Sequence, residues 1–166
     1  MLALQIENLR GFMGKLLLRN TFDNFLVSDI SVTTFASFHI DGQYHPEFYN
    51  TDDVTPEEAE NIPDGDQICW KSVRPFVLQI MRGKRLPLSF HIVLQLSPDD
   101  VAELLEENNL NTDPESVYGL FLNMQYKNSA LALTTGSSLK NFSDGHAIDQ
   151  AWDRRVREFL AAEDIL

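Results

Sequence analysis

The sequence predicts an α+β fold, a mainly antiparallel sheet with helices packed on it, and three observations carry that prediction. Leu120, Leu122, Met124 and Tyr126 alternate along one segment, the two-residue period of a half-buried strand. Leu9, Phe12, Met13, Leu16 and Leu17 recur at three and four residues, the period of an amphipathic helix. Sharp stop and start signals separate such segments, above all Ser97-Pro98-Asp99-Asp100 and Lys127-Asn128-Ser129.

In chain order, Leu2, Leu4 and Ile6 alternate as a short first strand, and a helix follows from an Asn8 start. Gly11 and Gly14 lie within that helix, which they weaken while leaving room for close approach of another backbone. Phe25 to Ile40 is rich in β-branched and aromatic residues and ends at Asp41-Gly42. It is too long for one ordinary strand, so two strands or one bulged strand are expected. From Asp41 to Asp66 the pattern breaks into Gly, Pro, Asn and acids, with a short helix begun by Thr55-Pro56-Glu57-Glu58.

Trp70 to Met81 reads as a second major helix with Trp70, Val73, Phe76, Val77 and Ile80 on one face. Pro75 either kinks it or marks its first turn, and Arg82-Gly83-Lys84-Arg85 ends it. A strand over Ser89 to Leu96 then runs into the best-marked helix start of the chain. There Ser97 caps, Pro98 suits the first helical position because its missing N–H would be unpaired anyway, and Asp99 and Asp100 favour the positive end of the helix dipole. After the loop at Asn108 to Pro114, Tyr118–Tyr126 and Ala130–Thr135 form a tight hairpin. Gly136 to Gly145 reads as a polar connection. A last amphipathic helix begins near Ala147 with the stripe Ile148, Ala151, Trp152, Val156, Phe159 and Leu160.

Composition bounds the class. The 166 residues fit one domain spanning 1–166, able to bury roughly 70% of its unfolded surface without disulfide or metal. No apolar run reaches the ~20 residues that span a bilayer, and the first residues lack the basic start and cleavage site of a secretory signal, so a cytoplasmic protein is expected. The single Cys69 is read as a buried structural thiol rather than a nucleophile.

The net charge of −12 is unevenly placed. Asn20 to Trp70 carries eleven acids and no Lys or Arg; Gln67 to Pro98 carries Lys71, Arg74, Arg82, Lys84 and Arg85 and no acid; Asp99 to Glu115 returns to seven acids and no base. Such blocks create fields that select partners of opposite sign, although the simpler use of the five cations is pairing with the protein's own acids.

Other constellations are weak. His39, Asp41 and His45 come nearest to a metal set, since His39 and Asp41 share a strand face and His45 can fold back past Asp41-Gly42, but a turn with a satisfied histidine is the simpler reading. The acids from Asp52 to Asp66 lack the ligand spacing and central glycine of a calcium loop. Thr134 to Lys140 has hydroxyls, a glycine and a lysine without the spacing of a P-loop, and is read as a connecting turn. There is no nucleophile elbow, HExxH or dinucleotide fingerprint, so no catalytic residue, metal or cofactor is assigned.

The two halves echo each other. Leu4-Gln5-Ile6 and Leu94-Gln95-Leu96 are each followed by a helix and paired strands, a β-α-β-β pseudo-repeat similar in topology to half of a processivity clamp. A clamp's helices face DNA, whereas the helix after Ser97 offers Asp99, Asp100, Glu103, Glu106 and Glu107 without one base, so nucleic-acid binding is not expected. Thr21–Leu26, Phe38–Gly42, Trp70–Phe76, Pro87–Phe90, Leu139-Lys140 and Asp149–Asp153 resemble a family of small uncharacterised bacterial proteins. That resemblance implies no activity, cofactor or catalytic residue.

Two functional readings remain. One is a non-enzymatic protein-binding or assembly module, a homodimer included, using the Asp41–Asp66 and Lys71–Arg85 segments. The other is a small-ligand binder or enzyme with a pocket near His39, Asp41, Trp70 and Arg74.

Overall fold

The computed structural model describes residues 1–49 and 52–166. Six antiparallel strands form one sheet: β1 (Ala3–Ile6), β2 (Leu26–Thr33), β3 (Ser37–Ile40), β4 (Ser89–Gln95), β5 (Val117–Lys127) and β6 (Ala130–Leu139), in the order β1-β6-β5-β4-β2-β3. The helices are α1 (Leu9–Leu17), α2 (Pro56–Glu60), α3 (Trp70–Met81), α4 (Pro98–Glu107) and α5 (Gly145–Ala162), with 3₁₀ turns at Pro46–Tyr49 and Pro114–Ser116. The fold is therefore α+β, as the patterning predicts.

Strand register explains why one face of the sheet collects the core. Ile40, Ile30, Ile92, Met124, Leu133 and Leu4 stand in one row across all six strands, and the row beside it reads His39, Ser31, His91, Gln125, Ala132 and Gln5. Successive side chains alternate faces, so the first row belongs to the apolar side and the second to the polar side. The apolar side joins the buried faces of α1, α3, α4 and α5 in one cluster. Both tryptophans are fixed within it: Trp70 Nε1 donates to the Leu16 carbonyl at 3.0 Å, tying α3 to α1, and Trp152 Nε1 donates to the Phe121 carbonyl at 3.0 Å, tying α5 to β5. Each buried indole N–H thus keeps a partner, which burial of a polar group requires.

Local signals hold at most boundaries. Ser97 accepts from the Asp100 N–H and opens α4; Thr55 and Glu58 form a reciprocal capping box on α2. The long Phe25–Ile40 segment is both expected things at once, two strands joined by a turn at Thr34–Ala36, with a bulge between Val27 and Asp29. Asn128 and Ser129 have φ of 53° and 62°, the left-handed pair of a two-residue hairpin loop.

Four expectations are corrected. Gly11 does not admit a neighbouring backbone: a Cβ there would lie 2.5 Å from Nδ2 of Asn8, whose side chain caps the Gly11 N–H, and nothing approaches Gly14 within 4 Å. Phe76 leaves the predicted core face of α3 and is 65% exposed, while Met81 takes part in the core. Strand β6 continues through Gly136 to Leu139, paired to Val117–Phe121, so the phosphate-type turn is strand and the polar connection shortens to residues 140–144. The pseudo-repeat stops at element order, because β1 pairs with β6 at the far side of the sheet from β2, whereas β4 pairs directly with β5.

Candidate functional site

The sheet gives the molecule two chemically distinct ends. Leu26 of β2 aligns with Gln95 of β4, and Thr33 aligns with Ser89. At the Leu26 end the acidic 41–68 segment returns to the sheet: Gln43 bridges Gln67, the Tyr44 N–H donates to the Asp66 carbonyl at 2.8 Å, and Gln67 Nε2 donates to Gln95 Oε1 at 3.0 Å. At the Thr33 end lie the β2–β3 turn, the Arg82–Leu88 loop leaving α3, and the β5–β6 turn beside Lys127, which pairs with Ser89. A strand advances about 3.3 Å per residue, so the ends of β2 are roughly 23 Å apart.

At the second end a groove of about 660 Å³ is lined by Thr34, Phe35, Ile80, Arg82, Lys84, Arg85, Leu86 and Leu88 among others. Phe35 is 95% exposed, Leu86 72% and Leu88 70%. The Phe35 ring meets Phe38 edge-on at 5.9 Å, and Leu88 is anchored by its N–H to the Thr33 carbonyl at 2.8 Å. Phe76 lies one helical turn before Ile80 and extends the apolar strip along α3. The Thr34 hydroxyl is buried without a hydrogen-bond partner among the described residues. Arg82 leaves α3 with extended φ and ψ and Gly83 follows at φ 141°; in the loop that crosses back to Ser89, Pro87 is buried while Leu86 and Leu88 on either side of it are left exposed.

The sequence-predicted candidates separate into two groups. Arg82, Lys84 and Arg85 gather at the groove, and none of them has an ion-pair partner within 4 Å among the described residues. Their expected neutralisation by the protein's own acids is thus realised only for Arg74, whose Nε lies 2.9 Å from Oδ1 of buried Asp23 and whose Nη2 donates to Oδ2 at 3.1 Å. Lys71 is exposed on the first turn of α3. Trp70 is wholly buried.

His39, Asp41 and His45 do not converge. His39 Nε2 lies 2.6 Å from Asp29 Oδ1 on the polar face of the sheet, Asp41 accepts from the Gln43 N–H, and His45 Nδ1 faces Glu47 at 3.3 Å. Trp70 and Arg74 belong to the core side, so the four residues of the anticipated ligand pocket each have a different local partner. Among the described residues no three His, Cys, Asp or Glu side chains are grouped to hold a metal ion. Burial is the main cause raising the Cys69 thiol pKa, with Asp64 adding to it, which keeps the sulfur in its unreactive protonated form.

Two features escaped the sequence. The apolar rim was hidden because Phe35 continues a β-rich run; Leu86-Pro87-Leu88, apolar residues directly after a basic turn, was its available signal. The second is a polar seam in which Thr135 Oγ1 donates to Asp153 at 2.5 Å and Ser137 Oγ donates to Asp149 at 2.5 Å. These bonds satisfy hydroxyls on β6 and fasten α5 to the sheet.

The fold and groove define a class: an α+β domain with helices layered on one side of an open antiparallel sheet, and an exposed basic, apolar end. Within that class the chain belongs to a family of unknown function, DUF5721, whose sequence profile matches residues 15–166 and so includes every candidate named above. No curated protein and no solved structure matches the chain. No helix among the described residues is long and apolar enough to cross a membrane.

Proposed function

We propose that this chain is a cytoplasmic, non-enzymatic protein-binding module, acting as one unit over residues 1–166, and that the basic apolar groove receives the partner. The observation that carries the reading is the set Arg82, Lys84 and Arg85, without ionic partners among the described residues in a molecule of net charge −12 and placed among exposed Phe35, Leu86 and Leu88. Intramolecular stability does not call for such an arrangement. Contiguous exposed apolar surface rimmed by charge is the composition of a contact site, in which aromatic and arginine side chains supply most of the energy and rim cations set partner choice and encounter rate.

Fluorescence anisotropy with a labelled peptide that alternates Leu or Phe with Asp or Glu tests the reading. The expected result is saturable binding, weaker by about tenfold or more in the combined variant Arg82→Glu, Lys84→Glu, Arg85→Glu, since each facing charge contact contributes roughly 0.5–1 kcal/mol. Equal binding by that variant, or by a control peptide with Asn and Gln in place of the acids, refutes it.

A further inference from the structure

We infer that the groove's acidic occupant is a second copy of this chain, docked head to tail through its own 41–68 segment, with Phe48 as the apolar knob. The inference rests on reading the groove as a docking surface, and charge complementarity between the two ends of the molecule carries it. Phe48 is 79% exposed. It sits on the 3₁₀ turn Pro46–Tyr49, its N–H donates to the His45 carbonyl at 3.2 Å, and its ring packs edge-on against Tyr49 at 5.1 Å, which in turn stacks on Tyr44. Glu47 is exposed beside it, and Glu57, Glu60, Asp64 and Asp66 of the same segment are exposed as well. Between Asn20 and Trp70 there is no Lys or Arg, and among the described residues Glu47 faces only His45, at 3.3 Å. An exposed aromatic set among carboxylates is the counterpart of an apolar groove rimmed by Arg82, Lys84 and Arg85.

One molecule cannot make this contact with itself. The knob segment is anchored through Gln43 and Gln67 at the Leu26 end of β2 and the groove lies at the Thr33 end; the strand between them is roughly 23 Å long, and charges separated by such a length are screened at physiological salt, where the Debye length is about 8 Å. Groove-to-groove pairing about a two-fold axis sets Arg82, Lys84 and Arg85 against their own copies, which repels. Head-to-tail docking instead opposes unlike charges. It leaves a free knob at one end and a free groove at the other, so the assembly extends or closes into a ring. The net charge of −12 opposes non-specific association, and at physiological salt screening leaves the facing charges to decide.

Sedimentation velocity of the full chain over a concentration series at physiological salt reads the contact. The wild-type chain is expected to sediment faster as concentration rises, and to lose most of that rise in molar salt. Phe48→Ser removes the knob, and the combined Arg82→Glu, Lys84→Glu, Arg85→Glu variant disables the groove; all four positions are exposed, and circular dichroism checks that each variant keeps its fold. Each variant alone is expected to stay monomeric or to associate at least tenfold more weakly. Mixed together they are expected to form a dimer that grows no further, because one supplies a working groove and the other a working knob. A wild-type chain that stays monomeric throughout, association insensitive to either variant, or a mixture that restores nothing overturns the inference. Acidic-peptide binding at the groove together with a monomeric wild type separates the two failures: the docking surface stands, and its occupant is then another protein.

Discussion

Replacing Arg74 by methionine tests whether the buried ion pair is structural. Asp23 is only 8% exposed; among the described residues its Oδ2 accepts one side-chain hydrogen bond, from Arg74 Nη2 at 3.1 Å, and its Oδ1 lies 2.9 Å from Arg74 Nε as an ion-pair contact without a hydrogen bond. Removing the guanidinium leaves a carboxylate in a site that water barely reaches, and breaking a buried pair in this way costs about 3–5 kcal/mol. The Arg74 side chain is itself 22% exposed, which lets some water follow the truncation and places the expected loss near ~3 kcal/mol. For a chain of this size each kcal/mol moves the Tm by about 2–4 °C, so a fall of roughly 6–12 °C is expected. Urea unfolding followed by tryptophan fluorescence suits the measurement, since Trp70 and Trp152 are both buried. The paired change Asp23→Leu with Arg74→Met removes the stranded charge along with its partner and is expected to recover most of the loss. A single variant within about 0.5 kcal/mol of wild type, or a double variant no better than the single, refutes the argument. Acidic-peptide binding by the refolded single variant is expected to be unchanged, because Arg74 does not line the groove.

Gly14→Ala is expected to stabilise the chain by about 0.5–1 kcal/mol, because the helix gains a better former and a Cβ there meets nothing within 4 Å. Gly11→Ala is expected to gain nothing in the same urea titration, since its Cβ displaces the Asn8 cap and loses about as much as the propensity adds. Equal gains from both refute the capping role. Cys69 holds its proton to higher pH in the folded state than in the unfolded one, chiefly through burial. Its contribution to stability is therefore complete below the ordinary thiol pKa and declines as pH rises through the raised one. Iodoacetamide is expected to alkylate the native thiol more slowly than the urea-unfolded one at mildly alkaline pH, and equal rates refute the shift.

Much of the architecture was legible because its signals are local. Ser97 and Thr55 cap helices with side chains three residues from the groups they satisfy, and the Asn128-Ser129 turn needs only its own φ angles. Expectations fail where a residue's partner is distant in the chain. Ser137 and Thr135 look like a polar connection until Asp149 and Asp153 arrive from α5 to accept their hydrogen bonds. Phe76 has the spacing of a core residue, yet the neighbours of α3 leave that part of its surface open.

Segment periodicity determined where strands and helices lie, the charge blocks determined which stretches are acidic or basic, and neither needs long-range information. Tertiary structure alone decided which cations stay unpaired. It buried Asp23 beside Arg74, carried Arg82, Lys84 and Arg85 past the end of α3 to a groove rimmed by Phe35, Leu86 and Leu88, and set the acidic segment at the opposite end of β2. The physical reason is that ion pairing depends on distances of a few ångströms between side chains on different elements, which sheet order and helix direction fix and residue spacing does not.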